Sequence, residues 1–300
     1  MLHGILNVYK EKGYTSHDVV AKLRGIVGQK KIGHTGTLDP DATGVLPVCL
    51  GKATKVCDLL TDKDKTYRAI LKLGISTDTQ DISGKIIKEM DPKGLTEEEV
   101  RQAILSFVGD YEQVPPMYSA LKVNGKKLYE LARQGKTIER KSRPVKIHEI
   151  KIEEMNLPRV EFTVTCSKGT YIRTLCHDVG EKLGVGGCME ELERIAVGRF
   201  HLRDALTLKE IQEMKEEGTL EEILRPVDSV FLQYPKMQVK ASYESLAFNG
   251  NPLPKKGVVA FEAADVDQIF RLYTEEGEFL ALYKKTPKDY RIVKMFYAKE

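Results

Sequence analysis

Residues 33–44 read Gly33-His34-Thr35-Gly36-Thr37-Leu38-Asp39-Pro40-Asp41-Ala42-Thr43-Gly44, and the run continues through Pro47, Cys49 and Gly51 to Lys55. Polar, turn-forming and reactive groups surround one carboxylate, that of Asp39. The glycines Gly33, Gly36, Gly44 and Gly51 let the backbone take positive φ or lie close against another surface. Asp39-Pro40-Asp41 forces an extended residue and then a turn, so Asp39 projects from a loop rather than from a strand ladder. An isolated Asp-Pro is ordinarily just a turn. The neighbouring His34, Thr35, Thr37 and Thr43 are more polar chemistry than a turn requires.

Two other readings of this run fail on spacing. A phosphate loop needs four residues between its glycines and Ser or Thr directly after Lys. Between Gly44 and Gly51 there are six, one of them Pro47, and Ala53 follows Lys52. His34, Asp39 and Asp41 could bind a hard cation, but His3, His17, His148, His177 and His201 form no paired ligand motif, so no metal is expected.

Outward from the loop, the 300 residues allow one large domain or two, and 41% hydrophobic content can fill a sizeable core. No apolar run approaches the ~20 residues that span a bilayer. The N-terminus lacks the features of a signal peptide, so a cytoplasmic protein without a membrane partner is expected. Cys49, Cys57, Cys166, Cys176 and Cys188 make no Cys-x-x-Cys pair and read as reduced thiols. The net charge of +3 says little; its distribution says more. Residues 122–146 carry nine basic side chains against Glu130 and Glu139, a net of +7, whereas residues 208–222 net −4. Charge runs are usually solvated faces. A basic run holding Tyr129, opposed by an acidic run elsewhere, suits a protein that turns one side to a polyanion.

The periodicity predicts an α+β class with a mixed, largely antiparallel sheet, because the elements do not repeat as βαβ. Ser16 is the expected N-cap of a helix bearing Val19, Val20, Leu23, Ile26 and Val27. Residues 65–73 read as a strand with Tyr67, Ala69, Leu71 and Leu73 on one face. Thr96 with Glu99, and Thr207 with Glu210, read as capping boxes, and Gly109 as a helix end. Residues 113–142 lose periodicity and read as a mobile basic insertion with at most one short helix. Strands are expected at 144–152 and 159–166, then a helix from about Tyr171. After a boundary near residue 231, short strands at 257–261, 268–273, 279–285 and 290–297 suit a small β-barrel.

Arg173 is oddly placed. With Thr170 as N-cap it sits at N3, where the helix dipole disfavours a cation by up to about 1 kcal/mol. A partner carboxylate would justify the placement, and Asp39 is the obvious one.

The stretch from Gly33 to Pro40 closely resembles the catalytic loop of bacterial tRNA pseudouridine synthases of the TruB class, in which the Asp at the position of Asp39 is essential. Ser167 to Leu175 resembles that family's second motif, whose Arg, here Arg173, pairs with the catalytic Asp. Lys65-Thr66-Tyr67 resembles the third, whose Tyr stacks on the target base and is a candidate for abstracting a proton late in the reaction. The resemblance further implies that His34 helps prise the uridine from the stack, that Tyr171 and Leu192 line the pocket, and that Asp81 supplies supporting contacts. Two motifs depart from the family pattern. Lys10-Glu11-Lys12-Gly13 stands where Lys-Pro-x-Gly is usual, and Leu192 to Gly198 is looser than the pattern. The resemblance covers residues 1–230 and implies the pseudouridine synthase fold; residues 231–300 resemble a PUA domain, an RNA-binding barrel. It implies isomerisation of uridine 55 in the T stem-loop of tRNA. No cofactor, nucleotide or obligate protein partner would be needed, and Lys126, Lys127, Arg133 and Lys136 would contact phosphates. The alternative class is a non-catalytic RNA-binding protein or chaperone on the same fold. It would keep the basic segment and the barrel, but would not need Asp39, Tyr67 and Arg173 together.

Overall fold

A computed structural model describes residues 1–123, 125–260 and 265–297. Its larger part is built on a nine-stranded sheet. Along the central path the strands run Gly4–Lys10, Thr43–Leu50, Gly187–Val197, Lys65–Leu73, Arg159–Cys166, Arg143–Asn156 and Gly109–Gln113; Ile32–His34 and Phe200–His201 attach at the sides. Neighbours are antiparallel except at one junction. There Thr43 and Gly44 pair in parallel with Glu193 and Arg194. The remainder of that edge of Thr43–Leu50 pairs with Ile32–His34, from Val48 to Leu50. The sheet therefore forks at this strand, and residues 35–42 cross the fork.

The predicted alternation holds in Lys65–Leu73, whose Tyr67, Ala69, Leu71 and Leu73 are buried. They pack with Val160, Phe162 and Val164 of the next strand and with Ile172, Leu175 and Val179 of the helix Ile172–Lys182. The helix Glu97–Leu105 closes this core with Val100 and Ile104, and its capping box is the predicted one, Thr96 with Glu99. A second core lies where the helices Ser16–Val27 and Leu208–Glu217 cover the strands Gly4–Lys10 and Thr43–Leu50.

Several local expectations are corrected. The first helix is capped by Thr15, which exchanges bonds with Asp18 in a full capping box. Ser16 is buried instead and donates nothing to its own helix. Gly109 does not end the helix before it; Ser106 is the C-cap, and Gly109, at φ 110°, opens the next strand. Residues 113–142 hold the one short helix expected and, in addition, a hairpin. A hairpin of Lys122–Val123 and Lys126–Lys127 leads into the helix Leu128–Arg133, and Leu128 and Met117 are buried as anchors.

The C-terminal sheet has six strands in the order Leu253–Pro254, Asp289–Met295, Phe279–Lys285, Ile269–Tyr273, Lys236–Val239 and Val258–Ala260. Its two end strands follow one another in the chain across the turn Lys255–Gly257, so the sheet curls nearly shut around Met237, Phe270, Leu272 and Tyr283. Two of these strands, Lys236–Val239 and Leu253–Pro254, were not expected from the pattern. The expected strand at 257–261 is found over Val258–Ala260, and its last position lies outside the described residues. The barrel is not a pendant. Phe231, Leu282 and Phe296 share one core with Ile5, Val45 and Cys49 of the large sheet and with Val56 of the turn Gly51–Val56. Lys55 Nζ also donates to the Met295 carbonyl at 2.9 Å.

Candidate active site

The loop 35–42 is fastened from both sides, which leaves its middle free to present a side chain. At its start, the Thr35 amide and hydroxyl both donate to the Pro47 carbonyl, at 3.1 and 3.2 Å. Leu38 is buried and its amide donates to Ser16 Oγ at 3.0 Å. Beyond Asp39, the Pro40 carbonyl accepts from the Gly13 amide at 2.9 Å and from Lys10 Nζ at 3.0 Å. Lys10 is completely buried and also donates to the carbonyls of Glu11 and Tyr14. Lys10 is a tether: its ammonium gathers the carbonyls of Glu11 and Tyr14 and reaches the Asp39 turn through that of Pro40. Burial pulls its pKa down to about 8, with Asp39 and Asp41 opposing the fall.

The loop re-enters the sheet at Gly44, the position where only glycine fits. Its φ is 105°, and a Cβ would lie 2.3 Å from the Arg194 carbonyl oxygen. Gly44→Ala is therefore expected to force the parallel junction apart and cost about 2 kcal/mol or more, read as a lowered urea midpoint. An unchanged midpoint would show that the two strands can separate there freely.

Arg173 meets Asp39 as anticipated. Its Nε lies 3.0 Å from Asp39 Oδ2. Nη1 donates to the Thr79 carbonyl at 3.0 Å and faces Asp81 Oδ2 at 3.5 Å, and Nη2 donates to the Tyr118 carbonyl at 2.8 Å. The Arg173 side chain is only 6% exposed, against 43% for Asp39. The arginine is thus a fixed element of the interior, aimed at a carboxylate that remains accessible. The helix is capped by Tyr171 rather than Thr170, so Arg173 stands at N2, one position nearer the terminus than expected. Its four oxygen partners offset the unfavourable dipole. Asp81 is itself held by the Thr79 hydroxyl and by the amide and hydroxyl of Ser83.

Burial raises the pKa of Asp39; Arg173 is the strongest opposing influence, Asp81 and Asp41 push further up, and Lys10 pulls down. Tyr67 is buried, and burial raises its phenol as well. Arg194, its partner across the strands Lys65–Leu73 and Gly187–Val197, works against that rise. Arg194 is a residue that sequence reading missed. It is 1% exposed, and its Nε donates to the Val45 carbonyl at 2.7 Å and its Nη1 to the Thr37 carbonyl at 3.4 Å. It joins the tyrosine strand to the Asp39 loop. An arginine in a charged stretch, Glu190 to Arg194, carries no signal that it points inward.

The other expected residues fall in two groups. Tyr171 is half-buried beside Arg173, close enough to Asp39 to feel its charge. Leu192 is half-buried against the core that holds Tyr67 and Leu38. His34 packs edge-on to His17 at 5.1 Å, and its Nδ1 is 3.0 Å from the Gly36 carbonyl. Burial lowers its pKa, so the ring is neutral at pH 7. Lys126, Lys127, Arg133 and Lys136 are not brought to Asp39. They lie on the insertion, where Lys127 and Arg133 both stand over the Tyr129 ring at 5.3 Å. The insertion reaches Arg173 through the Tyr118 carbonyl.

Residues 24–172 match the model of the TruB family pseudouridylate synthase N-terminal domain, and residues 173–232 that of the tRNA pseudouridylate synthase B C-terminal domain. The chain belongs to the TruB family of pseudouridylate synthases. Two relatives named tRNA pseudouridine synthase B show how far the likeness extends. That of Lachnoclostridium phytofermentans is 53% identical, over 98% of this chain and 100% of its own. That of Clostridium tetani is 44% identical, over 98% and 99%. Among solved structures, an H/ACA ribonucleoprotein bound to a substrate RNA containing 2′-deoxyuridine aligns with a TM-score of 0.72 and 27% identity, over 99% of this chain and 86% of that one. A Cbf5–Nop10–Gar1 complex gives 0.72 and 29%, over 98% and 85%. As a TruB-family member the chain is an isomerase with a pseudouridine synthase fold. No helix among its described residues is long and apolar enough to cross a membrane.

Proposed function

We propose that this TruB-family enzyme converts uridine 55 in the T stem-loop of tRNA to pseudouridine, in the cytoplasm and without cofactor, with Asp39 as nucleophile. The observation that carries the reading is the half-exposed Asp39 carboxylate, held at 3.0 Å by an almost fully buried arginine. A stacked base must first leave the RNA, at a cost of a few kcal/mol. Stacking on Tyr67, worth about 1–3 kcal/mol per base, and phosphate contacts from the insertion and the PUA-like barrel offset this. His34, neutral and at the mouth of the loop, helps displace the base, and Tyr171 and Leu192 enclose it. The ionised Asp39 attacks the nucleotide, and the bond it forms breaks again to free the carboxylate before product leaves. The bond from C1′ to N1 breaks, the uracil turns within the pocket, C5 bonds to C1′ and loses its proton, and N1 ends protonated. The raised pKa of Tyr67 keeps its phenol protonated, which favours stacking over proton abstraction.

The deciding experiment incubates the protein with a tRNA transcript lacking modifications, without metal or nucleotide, and maps pseudouridine by position. Product at position 55 supports the proposal. Binding without product would favour the non-catalytic RNA-binding alternative. The insertion has its own test. Replacing Lys126, Lys127, Arg133 and Lys136 with Gln is expected to weaken tRNA binding and flatten its salt dependence, by roughly 0.7 to 0.9 of log–log slope for each phosphate that is no longer neutralised. The rate at saturating RNA should change much less. An unchanged slope would show that these side chains are merely solvated.

A further inference from the structure

The strand Gly109–Gln113 leads directly into the basic insertion, and its last residue, Gln113, is only 1% exposed. A buried side-chain amide is costly unless both of its ends are bonded. Gln113 gives both ends to one residue. Its Nε2 donates to the Tyr171 carbonyl at 3.0 Å, and its Oε1 accepts from the Tyr171 amide at 2.8 Å. Tyr171 is the N-cap of the helix Ile172–Lys182, and it makes no side-chain capping bond of its own. The start of the helix is therefore held from outside, two residues before Arg173. The same stretch grips Arg173 a second time, through the Tyr118 carbonyl on Nη2. Lower on the helix, the Tyr111 hydroxyl bonds Asp178, so the strand is fixed to the helix at two heights.

We propose that Gln113 is a positioning residue for the isomerisation: its amide sets the first turn of the helix, so that Arg173 meets Asp39, and joins the base of the insertion to that pair. The proposal rests on the reading of Asp39 and Arg173 given above. Gln113 touches no reacting atom and acts through Tyr171 and Arg173.

The test uses the full chain with Gln113→Leu, which removes both bonds at similar length, and Gln113→Glu, which keeps an acceptor for the Tyr171 amide but removes the donor. Single-turnover rates at saturating tRNA transcript, tRNA affinity and the pH profile are compared with wild type. Gln113→Leu is expected to slow the reaction by about tenfold or more, since small misplacements of catalytic groups are costly, with affinity within about twofold. Its acid limb should move to higher pH. Arg173 holds Asp39 down and would be drawn back, while Asp81 and Asp41, which push it up, and Lys10, which pulls it down, stay in place. Gln113→Glu should fall between, and carries the comparison if Gln113→Leu does not fold. In an Arg173→Lys background the Gln113 substitution should cost less than it does alone, because both act on one ion pair. A full wild-type rate, or the same decrease in both backgrounds with an unmoved acid limb, overturns the proposal. If the Arg173 variants slow the reaction while Gln113→Leu does not, this inference alone fails. If the Arg173 variants themselves are fully active, the reading of the ion pair fails.

Discussion

Asp39→Asn is expected to abolish pseudouridine formation, by at least about 10⁴-fold as for removal of a nucleophile that nothing replaces. The substitution keeps the shape of the side chain, and the loop does not depend on the carboxylate. Thr35, Leu38, Pro40 and Lys10 hold it through backbone atoms and apolar burial. The variant should therefore fold normally and bind tRNA within a few-fold of wild type. The measurement is product per enzyme in a single turnover at saturating RNA. Residual activity above a tenth of wild type would remove Asp39 from the role of nucleophile.

Arg173→Ala is the second large effect. The substitution leaves Asp39 and Asp81 facing each other without their shared cation, and it leaves the Thr79 and Tyr118 carbonyls unpaired. Removing a preorganised charge from such a site commonly costs about 10² to 10³ in rate. The pH dependence follows from the same ion pair. The active form has Asp39 ionised, so activity fades as pH falls through its pKa. Burial already places that pKa above the ordinary carboxylate value, and Arg173 is the main influence holding it down. Without Arg173 the fade should begin at a higher pH. Arg173→Lys should recover part of the rate, because an ammonium supplies charge but not the fixed fork that reaches four oxygens. An alanine variant with a wild-type rate at neutral pH and an unmoved acid limb would dissolve the pair as a functional unit.

The ion pair was legible because each half was anomalous where it stood. Asp39 lay in a loop with more polar groups than a turn uses, and Arg173 lay at the wrong end of a helix dipole. The strand Lys65–Leu73 was legible from strict alternation, and the capping boxes at Thr96 and Thr207 from their fixed three-residue spacing. The box of Thr15 with Asp18 has the same three-residue spacing, and taking Ser16 as the cap missed it. The other misses depend on bonds between distant segments. Lys10, Gln113 and Arg194 are ordinary polar residues by composition. Their burial is made possible by carbonyls at Pro40, Tyr171 and Thr37 that no local pattern places nearby. The insertion shows no period because its buried apolar positions, Pro115, Pro116, Met117 and Leu128, do not recur at a regular spacing.

The core shared by Phe231, Leu282, Phe296, Val45 and Cys49 has a consequence for substrate choice. A domain on a free linker can pivot to suit RNAs of many shapes. Here the barrel is set against the back of the strand Thr43–Leu50, whose other end receives the Asp39 loop. The separation between barrel surface and nucleophile is then a built-in length, like the opening of a fixed caliper. An RNA that touches both must bring its target nucleotide and its outer helix to that one spacing. Selection between RNAs would then come from measured distance as much as from the bases read at the pocket.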